Sequence, residues 1–192
     1  NASTPNVKDD ATKWGQAQAP SNHGTSCKPY RDKGLIMQPV TDKLDNISNS
    51  INAMTPYAYT HIALGVEFGY HMLTPNKPFG EDLTKLNDKD TVKYLVVLTD
   101  GMQTEPGYGP RGKQIIENAE ANLADLCQNA KNDGIVVVTV AFDLDDSDTR
   151  KRLQKCASAG EDNFHVADSG SDLNKAFATI TTQIAQNIFL SK

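Results

Sequence analysis

A hydroxyl and a carboxylate stand where the sequence predicts the ends of two elements. Thr60 comes directly before a predicted helix that begins near His61, and Asp100 follows the apolar run of residues 94–98. Loops beyond the carboxyl ends of parallel strands gather at one edge of a sheet, and oxygen ligands of this kind suit hard cations such as Mg²⁺. Two structural roles remain as alternatives, because Thr before a helix is usually an N-cap and Asp before Gly usually makes a turn.

A glycine-rich segment matches the sequence pattern of a phosphate-binding loop. It reads Gly107-Tyr108-Gly109-Pro110-Arg111-Gly112 and matches the G-x-G-x-x-G pattern of dinucleotide-binding turns. Such a turn begins directly at the end of a strand, whereas a polar stretch containing Pro106 separates this segment from Leu98. The spacing favours a flexible surface loop, and nucleotide binding stays an alternative.

Acidic residues are concentrated in the segment Asp143-Leu144-Asp145-Asp146-Ser147-Asp148. An EF-hand loop needs Gly at its sixth position and Glu at its twelfth, where this chain has Asp148 and Gln154. Asp and Ser directly before a helix are favoured by capping and by the helix dipole. We therefore predict the start of a helix here, without a calcium site.

Residues for nucleophilic catalysis are not grouped in the sequence. The four histidines are scattered, no G-x-S-x-G elbow is present, and no Cys–His pair is suggested by position. These observations predict a binding domain without catalytic residues or a bound organic cofactor.

The three cysteines allow at most one internal disulfide bond. Cys127 and Cys156 lie on the apolar sides of two predicted helices that flank the run of residues 135–142. Right-handed crossovers can bring such helices onto one face of a sheet. From the residues alone, a disulfide bond and two buried thiols that merely pack both remain open, and Cys27 would be left over.

The elements that would position these groups alternate along the chain. Short apolar, β-branched runs predict strands, and apolar residues at helical spacing predict helices. The predicted strands are residues 35–40, 94–98, 135–142 and 164–167, and the predicted helices begin near residues 41, 61, 115, 147 and 172. This alternation predicts an α/β fold with a doubly wound, mostly parallel sheet.

Composition indicates the domain organisation and excludes two classes of partner. Residues 1–29 are polar and lack apolar periodicity, which predicts a loop or disordered tail that begins with an expression-tag remnant. Residues 30–192 predict one α/β domain. The net charge of −5 argues against nucleic-acid binding, and the longest apolar runs are too short to span a bilayer.

Two segments resemble the second and third metal-site motifs of von Willebrand factor A domains, a family with a Rossmann-like topology. They are Thr60-His61-Ile62-Ala63-Leu64-Gly65 and Tyr94-Leu95-Val96-Val97-Leu98-Thr99-Asp100-Gly101. Four further segments are similar to the TadG-like pilus-assembly proteins of bacteria: Asp90-Thr91-Val92-Lys93, Leu126-Cys127-Gln128-Asn129-Ala130-Lys131, Ala141-Phe142-Asp143-Leu144 and Leu153-Gln154-Lys155-Cys156-Ala157-Ser158. The similarity runs from about Cys27 to Lys192.

The resemblance implies a non-enzymatic adhesion or scaffold module of tight-adherence (Flp) pilus assembly. Such proteins are extracytoplasmic, in the periplasm or at the cell surface, and are anchored by an N-terminal transmembrane segment that would lie outside these 192 residues. The implied partners are other envelope or pilus-assembly proteins and the missing N-terminal part of the same chain. An oxidising compartment also favours a disulfide bond between Cys127 and Cys156.

The resemblance further implies Thr60 and Asp100 as ligands of Mg²⁺, or of Mn²⁺ or Ca²⁺. The family's first metal-site motif, Asp-x-Ser-x-Ser after the opening strand, is not found upstream of Thr60. The resemblance therefore predicts either a truncated chain that lacks the first strand and its helix or a divergent member that assembles its core differently. Since two residues supply too few of about six oxygen ligands, we expect weak or no metal binding by this chain and metal dependence only in the intact protein.

Two other functions share some of these features. A nucleotide-binding enzyme would use the loop from Gly107 to Gly112. A cytoplasmic A domain of the metal-chelatase type would share Thr60 and Asp100 but would not need the disulfide bond.

Overall fold

The computed structural model describes residues 28–57, 59–75, 91–105, 107–108 and 114–190. These residues fall into two compact units that divide between Tyr59 and Thr60. The sequence did not predict this division, and its single domain over residues 30–192 stays a prediction. None of the helices in the described ranges combines the length and the apolar character that a membrane span requires.

The smaller unit contains helices α1 (Lys28–Asp32) and α2 (Leu44–Asn52). Gly34 follows α1 in the left-handed conformation, with φ of 70°, and a Cβ at this position would lie 2.6 Å from the carbonyl oxygen of Ala53. Only glycine therefore allows the two helices to approach in this way. Helix α2 has no buried residue, and Leu44 is 75% exposed.

The predicted strand of residues 35–40 is not observed. Its residues form no ladder, and the N–H of Ile36 donates locally to the carbonyl oxygen of Gly34 at 3.0 Å. Ile36 and Val40 are both exposed. Apolar composition alone does not make a strand, because the strand conformation needs a neighbour for its backbone hydrogen bonds. This prediction was wrong.

The larger unit is a parallel sheet with helices on both faces. Its elements, in chain order, are α3 (Ile62–Met72), β1 (Lys93–Thr99), β2 (Gly107–Tyr108), β3 (Gln114–Ile115), α4 (Ile116–Asn132), β4 (Ile135–Phe142), α5 (Ser147–Cys156), β5 (Phe164–Ala167) and α6 (Gly170–Leu190). The main sheet has the order β1-β4-β5, and both of its strand pairs are parallel. The predicted doubly wound parallel fold is confirmed.

The two largest apolar cores lie on opposite faces of this sheet. One lies under α3, α4 and α5 and includes Ile62, Val66, Leu95, Leu126, Cys127, Val137 and Cys156. The other lies under α6 and includes Val138, Val140, Ala167, Ala176 and Ile180. Strand β4 contributes to both cores, as expected for an interior strand of a parallel sheet.

Strand β4 is hydrogen-bonded along both sides. It pairs with β1 over its first seven residues and with β5 from Thr139 onward. Before the pairing with β5 begins, Ser158 bonds to the same side of β4. Its N–H donates to the carbonyl oxygen of Val137 at 2.8 Å, and its Oγ accepts from the Val137 N–H at 2.9 Å. The buried N–H and C=O groups of Val137 in β4 therefore have hydrogen-bond partners although β5 does not extend to this position.

Strand β1 lies at the edge of the described sheet and is covered less completely than the sequence predicts. Val96 and Leu98 pair in register with β4 residues, but their side chains are 37% and 47% exposed. A uniformly apolar run such as residues 94–98 is typical of a strand that helices cover on both faces. These two side chains stay exposed instead, because α6 packs over β4 and β5.

A disulfide bond joins α4 to α5. It links Cys127 to Cys156, the pair that the resemblance implies, with a Cα–Cα distance of 5.1 Å, and both residues are buried. Lys131 adds a second link, because its Nζ donates to the carbonyl oxygens of Lys155 at 2.9 Å and Ala157 at 3.3 Å. Partial burial lowers the pKa of Lys131. Cys27 lies outside the described residues.

Candidate functional site

The segment that precedes α3 lies against the segment that follows β1. The backbone N–H of Thr60 donates to Thr104 Oγ1 at 2.8 Å, and the Thr60 carbonyl oxygen accepts from the N–H groups of Thr104 and Glu105 at 3.0 Å each. Thr60 Oγ1 lies 3.5 Å from the position that a Cβ would take on Gly101. The structure therefore places Thr60 beside the residue that directly follows Asp100.

Gln103 joins the two segments through hydrogen bonds of its buried side chain. Its side chain is buried, and its Nε2 donates to the carbonyl oxygens of Thr60 at 3.2 Å and Glu105 at 2.5 Å. Its Oε1 accepts from the backbone N–H of Ala63, in the first turn of α3, at 3.3 Å. A single buried amide thus connects both loops to the start of the helix, which makes this edge of the sheet well ordered.

The N-cap of α3 is His61, so the alternative role of Thr60 as a cap is not observed. His61 Nδ1 accepts a hydrogen bond from the N–H of Leu64 at 3.0 Å. Desolvation lowers the pKa of His61, and this effect is opposed by a backbone hydrogen bond and by the charge of Glu105. The ring is therefore neutral near pH 7, and the Thr60 hydroxyl is not used to cap the helix.

Asp100 lies at the exposed tip of the turn after β1. Thr99 shapes this turn through two hydrogen bonds to Gly101. Its Oγ1 donates to the carbonyl oxygen of Gly101 at 3.0 Å and accepts from the backbone N–H of Gly101 at 3.3 Å. The Asp100 carboxylate and the Thr60 hydroxyl are oxygen donors of the kind that Mg²⁺ prefers. A partner can reach the carboxylate from solvent.

These two donors do not form a complete metal site. A hard cation takes about six oxygen ligands. Among the residues that the structure describes, no group of three or more His, Cys, Asp or Glu side chains could hold a metal ion. The assignment of Thr60 and Asp100 as metal ligands therefore stays a prediction.

A groove of about 330 Å³ runs beside this edge, between the start of α3 and the outer side of β1. It is lined by Thr60, His61, Ile62, Gly65, Val66 and residues 95–99. A Cβ added at Gly65 would meet no atom within 4 Å, so α3 extends over open space here. The groove is mainly apolar, whereas its end at Thr60 is polar.

The glycine-rich segment does not have the geometry of a dinucleotide-binding turn in its described part. Gly107 and Tyr108 pair antiparallel with Ile115 and Gln114, and α4 begins only after this short ladder. The remaining residues 109–113 lie outside the described residues. In a dinucleotide site the glycines would lead from a parallel strand directly into a helix.

The acidic segment after β4 begins a helix, as predicted. Asp146 is the N-cap of α5, and its Oδ2 accepts from the Thr149 N–H at 2.7 Å. Hydrogen bonding to the Thr149 side chain, and next to the Thr149 backbone N–H, lowers the pKa of Asp146. Arg150 forms an ion pair with Asp168 at 3.1 Å. The predicted capping role is confirmed.

Comparison with known proteins identifies the family. The family model for von Willebrand factor type A domains matches residues 37–179. The crystal structure of the pilus adhesin SpaC from Lactobacillus rhamnosus GG is similar in fold, with a TM-score of 0.54 and 18% sequence identity, over 80% of this chain and 22% of that chain. The chain thus spans less than a quarter of the adhesin's length. No curated protein matches the sequence. Because the family model covers most of the chain, the protein belongs to the von Willebrand factor type A domain family.

Proposed function

We propose that this chain is a non-enzymatic protein-binding module that acts in adhesion or scaffolding during tight-adherence (Flp) pilus assembly. Membership of the von Willebrand factor type A family and the similar fold of a pilus adhesin support protein binding. The segments that resemble TadG-like proteins support the narrower role. The observation that carries the proposal is the joined edge at which Thr60 and the turn of Asp100 are held together.

The chemistry of this edge suits binding better than turnover. Thr104 bonds to the backbone of Thr60, and Gln103 bonds to the backbone of Thr60, Ala63 and Glu105. His61 Nδ1 caps a helix. These contacts make a rigid surface, and rigid presentation lowers the entropic cost of binding a partner. The exposed carboxylate of Asp100 is the group that this surface presents to solvent.

In the intact protein, further ligands from outside the described residues would complete a divalent metal site with Thr60 and Asp100. Mg²⁺ is the preferred ion, and Mn²⁺ and Ca²⁺ are alternatives. The partners are other envelope or pilus-assembly proteins. The N-terminal part of the same protein supplies both the missing ligands and the membrane anchor.

The buried disulfide bond supports an extracytoplasmic location, because such bonds persist in oxidising compartments. Mass spectrometry of natively exported protein under non-reducing conditions tests this point. We expect a mass shift that shows Cys127 bonded to Cys156. Free thiols at both positions would instead favour the cytoplasmic, chelatase-type alternative.

The metal-dependent part of the proposal is tested by titrating Mg²⁺ and Mn²⁺ into the full-length protein and into its Asp100→Ala variant. A ligand that binds only the native state raises the melting temperature, by the equivalent of about 2.7 kcal/mol at one hundred times its Kd. We expect this rise in the wild type and its loss in Asp100→Ala. The matched control is Asp145→Ala, which removes an exposed carboxylate after β4 and should behave like the wild type.

The 192-residue chain alone should show little or no shift at millimolar Mg²⁺, because it supplies only two of the ligands. If neither ion changed the stability of the full-length protein or its binding to envelope proteins, and Asp100→Ala matched the wild type, metal dependence would be rejected. A clear shift with NAD or ATP that a Gly109→Ala variant abolished would favour the nucleotide-binding alternative.

A further inference from the structure

The sequence Asp-Gly occurs at two places in the chain, Asp100-Gly101 and Asp133-Gly134. In this dipeptide the aspartate side chain can react with the backbone, because glycine has no Cβ that would hinder the approach of its nitrogen to the Asp Cγ atom. The two atoms must also meet in the required orientation. The folded structure therefore decides whether either pair reacts.

Asp133-Gly134 is held at the end of α4 by hydrogen bonds on both reacting groups. Asp133 Oδ2 accepts from the hydroxyl of Tyr70, on α3, at 2.5 Å. The Gly134 N–H donates to the carbonyl oxygen of Lys131 at 3.1 Å, and Gly134 has a φ of 76°. A left-handed residue of this kind ends many helices, so the backbone conformation needs glycine here. Ring closure at Asp133 would break the end of the helix.

Asp100-Gly101 is held less firmly. Asp100 is exposed, and the described residues provide no hydrogen-bond or ion-pair partner for its carboxylate. The Gly101 N–H donates to Thr99 Oγ1 at 3.3 Å, and this hydroxyl can rotate away without moving the backbone. The hydrogen bonds of Gln103 and Thr104 begin only after this turn. The two reacting groups of Asp100-Gly101 can therefore meet.

The backbone conformation of Gly101 does not need glycine. Gly101 is not among the described glycines with positive φ. A Cβ at this position would lie 3.5 Å from Thr60 Oγ1, which is an ordinary contact distance. Alanine would therefore fit, and it would hinder the approach of the backbone nitrogen to Asp100. Glycine leaves the neighbouring aspartate open to reaction.

We propose that Asp100 is a site of spontaneous isoaspartate formation in the folded protein, whereas Asp133 is protected. The Gly101 nitrogen attacks Asp100 Cγ, and the new C–N bond closes a succinimide ring. One carboxyl oxygen leaves as water, with the amide proton and the proton of the carboxylic acid. Water then adds to the main-chain carbonyl carbon of Asp100 and breaks its bond to the Gly101 nitrogen. The reaction needs no co-reactant other than water.

The modification changes the edge that carries the proposed function. The main chain of residue 100 then passes through Cβ and Cγ, and the free carboxylate is attached directly to Cα. The carboxylate therefore leaves the position at which the turn after β1 presents it. Aged full-length protein should lose the Mg²⁺-dependent stabilisation. This consequence rests on the proposed function, whereas the isomerisation does not.

The test incubates the folded 192-residue chain in H₂¹⁸O at neutral pH for several weeks, with a second sample unfolded in guanidinium chloride. Ring opening adds one ¹⁸O atom, which mass spectrometry locates after digestion in ordinary water, and isoaspartate blocks a protease that cleaves before Asp. In the unfolded sample both Asp-Gly pairs should react at similar rates. In the folded chain Asp100 should react at least about tenfold faster than Asp133, because only Asp133 is held by a helix end.

Two variants test the chemistry at this turn. Gly101→Ala should slow the reaction of Asp100 at least about tenfold at a nearly unchanged melting temperature, since the added Cβ fits but hinders the attack. Asp100→Glu keeps a carboxylate but would have to close a larger ring, so no isomerised product should be detected at this position. Gly170→Ala, at the unobstructed start of α6, is the matched control and should react like the wild type.

Three results would overturn the inference. They are equal rates at Asp100 and Asp133 in the folded chain, no ¹⁸O at Asp100 when the unfolded sample incorporates it, and an unchanged rate in Gly101→Ala.

The functional consequence is measured separately, by Mg²⁺ titration of fresh and aged full-length protein. The rise in melting temperature should decrease in proportion to the isoaspartate fraction, and an undiminished rise in aged protein would reject this consequence. Fresh protein without any response to Mg²⁺ would contradict the proposed metal dependence but would leave the isomerisation at Asp100 unaffected.

Discussion

Strands β4 and β1 have nearly the same kind of sequence but very different surroundings. Both are apolar and rich in Val, and they pair with each other in parallel. β4 is buried along most of its length and is hydrogen-bonded on both sides, whereas β1 leaves Val96 and Leu98 exposed and one edge unpaired among the described residues. The comparison indicates that the region around β4 stabilises the fold, whereas the region at β1 is available for binding.

The largest expected effect comes from truncating one leucine in each region. Leu153 of α5 is fully buried against β4, and Leu153→Ala should lower the free energy of unfolding by about 3–5 kcal/mol, since it creates a cavity. Leu98→Ala should cost less than about 1 kcal/mol in the 192-residue chain, because the side chain is partly in solvent already. Urea denaturation measures both. Equal losses would contradict the comparison.

Removal of the disulfide bond should have the next largest effect. The bond closes a loop with a sequence separation of 29 residues. The double variant Cys127→Ser, Cys156→Ser should lose about 3 kcal/mol of unfolding free energy, mainly because its unfolded chain is less restricted. Urea denaturation of the wild type with reductant should give a similar loss. Cys27→Ser is the control, and a comparable loss there would mean that the effect is not specific to this bond.

Gln103→Ala should have a smaller and more local effect. The variant leaves the carbonyl oxygen of Thr60 and the N–H of Ala63 with fewer partners, which should cost about 1–3 kcal/mol. Amide exchange at Ala63 should become faster, whereas the amides of β4 should change only as much as global stability does. Gln128→Ala, on the exposed surface of α4, is the control. An unchanged rate at Ala63 would show that Gln103 does not hold this edge.

The smallest expected effect is a pH dependence at the same edge. Because the pKa of His61 is lowered in the folded state, its contribution to stability is fully present above the usual pKa of about 6.5. This contribution is lost as the pH falls from there through the folded-state pKa, because desolvation disfavours the protonated ring and protonation also removes the lone pair that caps α3. We expect a loss below about 1 kcal/mol, measured by urea denaturation across this range.

His61→Asn provides the matched variant for the pH test. Asn retains a side-chain acceptor suited to a helix N-cap but does not titrate. The difference in stability between the wild type and this variant should therefore change as the pH falls below about 6.5. A difference that stays constant with pH would show that the cap does not depend on the neutral ring.

Much of the larger unit could be predicted because its elements have strong local patterns. The predicted bounds of residues 135–142 and 164–167 agree with β4 and β5, since both strands are continuous runs between turn residues. The meeting of the Thr60 and Asp100 segments was predicted from the edge at which the loops of a parallel sheet gather, although the strand predicted before Thr60 is not observed. The metal role of these two residues stays a prediction.

The features that the sequence did not predict depend on distant or unusual partners. Gln103 bonds to Ala63 across 40 residues, and no local pattern distinguishes it from the other glutamines of the sequence. His61 caps α3 although His is not among the common N-cap residues. The exposure of Val96 depends on which elements cover β1, and an apolar sequence does not show which elements pack against it.

The link that Lys131 makes between α4 and α5 bears on the order in which the disulfide bond forms. Its ammonium group binds the carbonyl oxygens at the end of α5, one helical turn from Cys127 and next to Cys156. This contact needs no oxidant, so it can align the two helices while both cysteines are still thiols. Oxidation would then join two sulfur atoms whose helices Lys131 already connects.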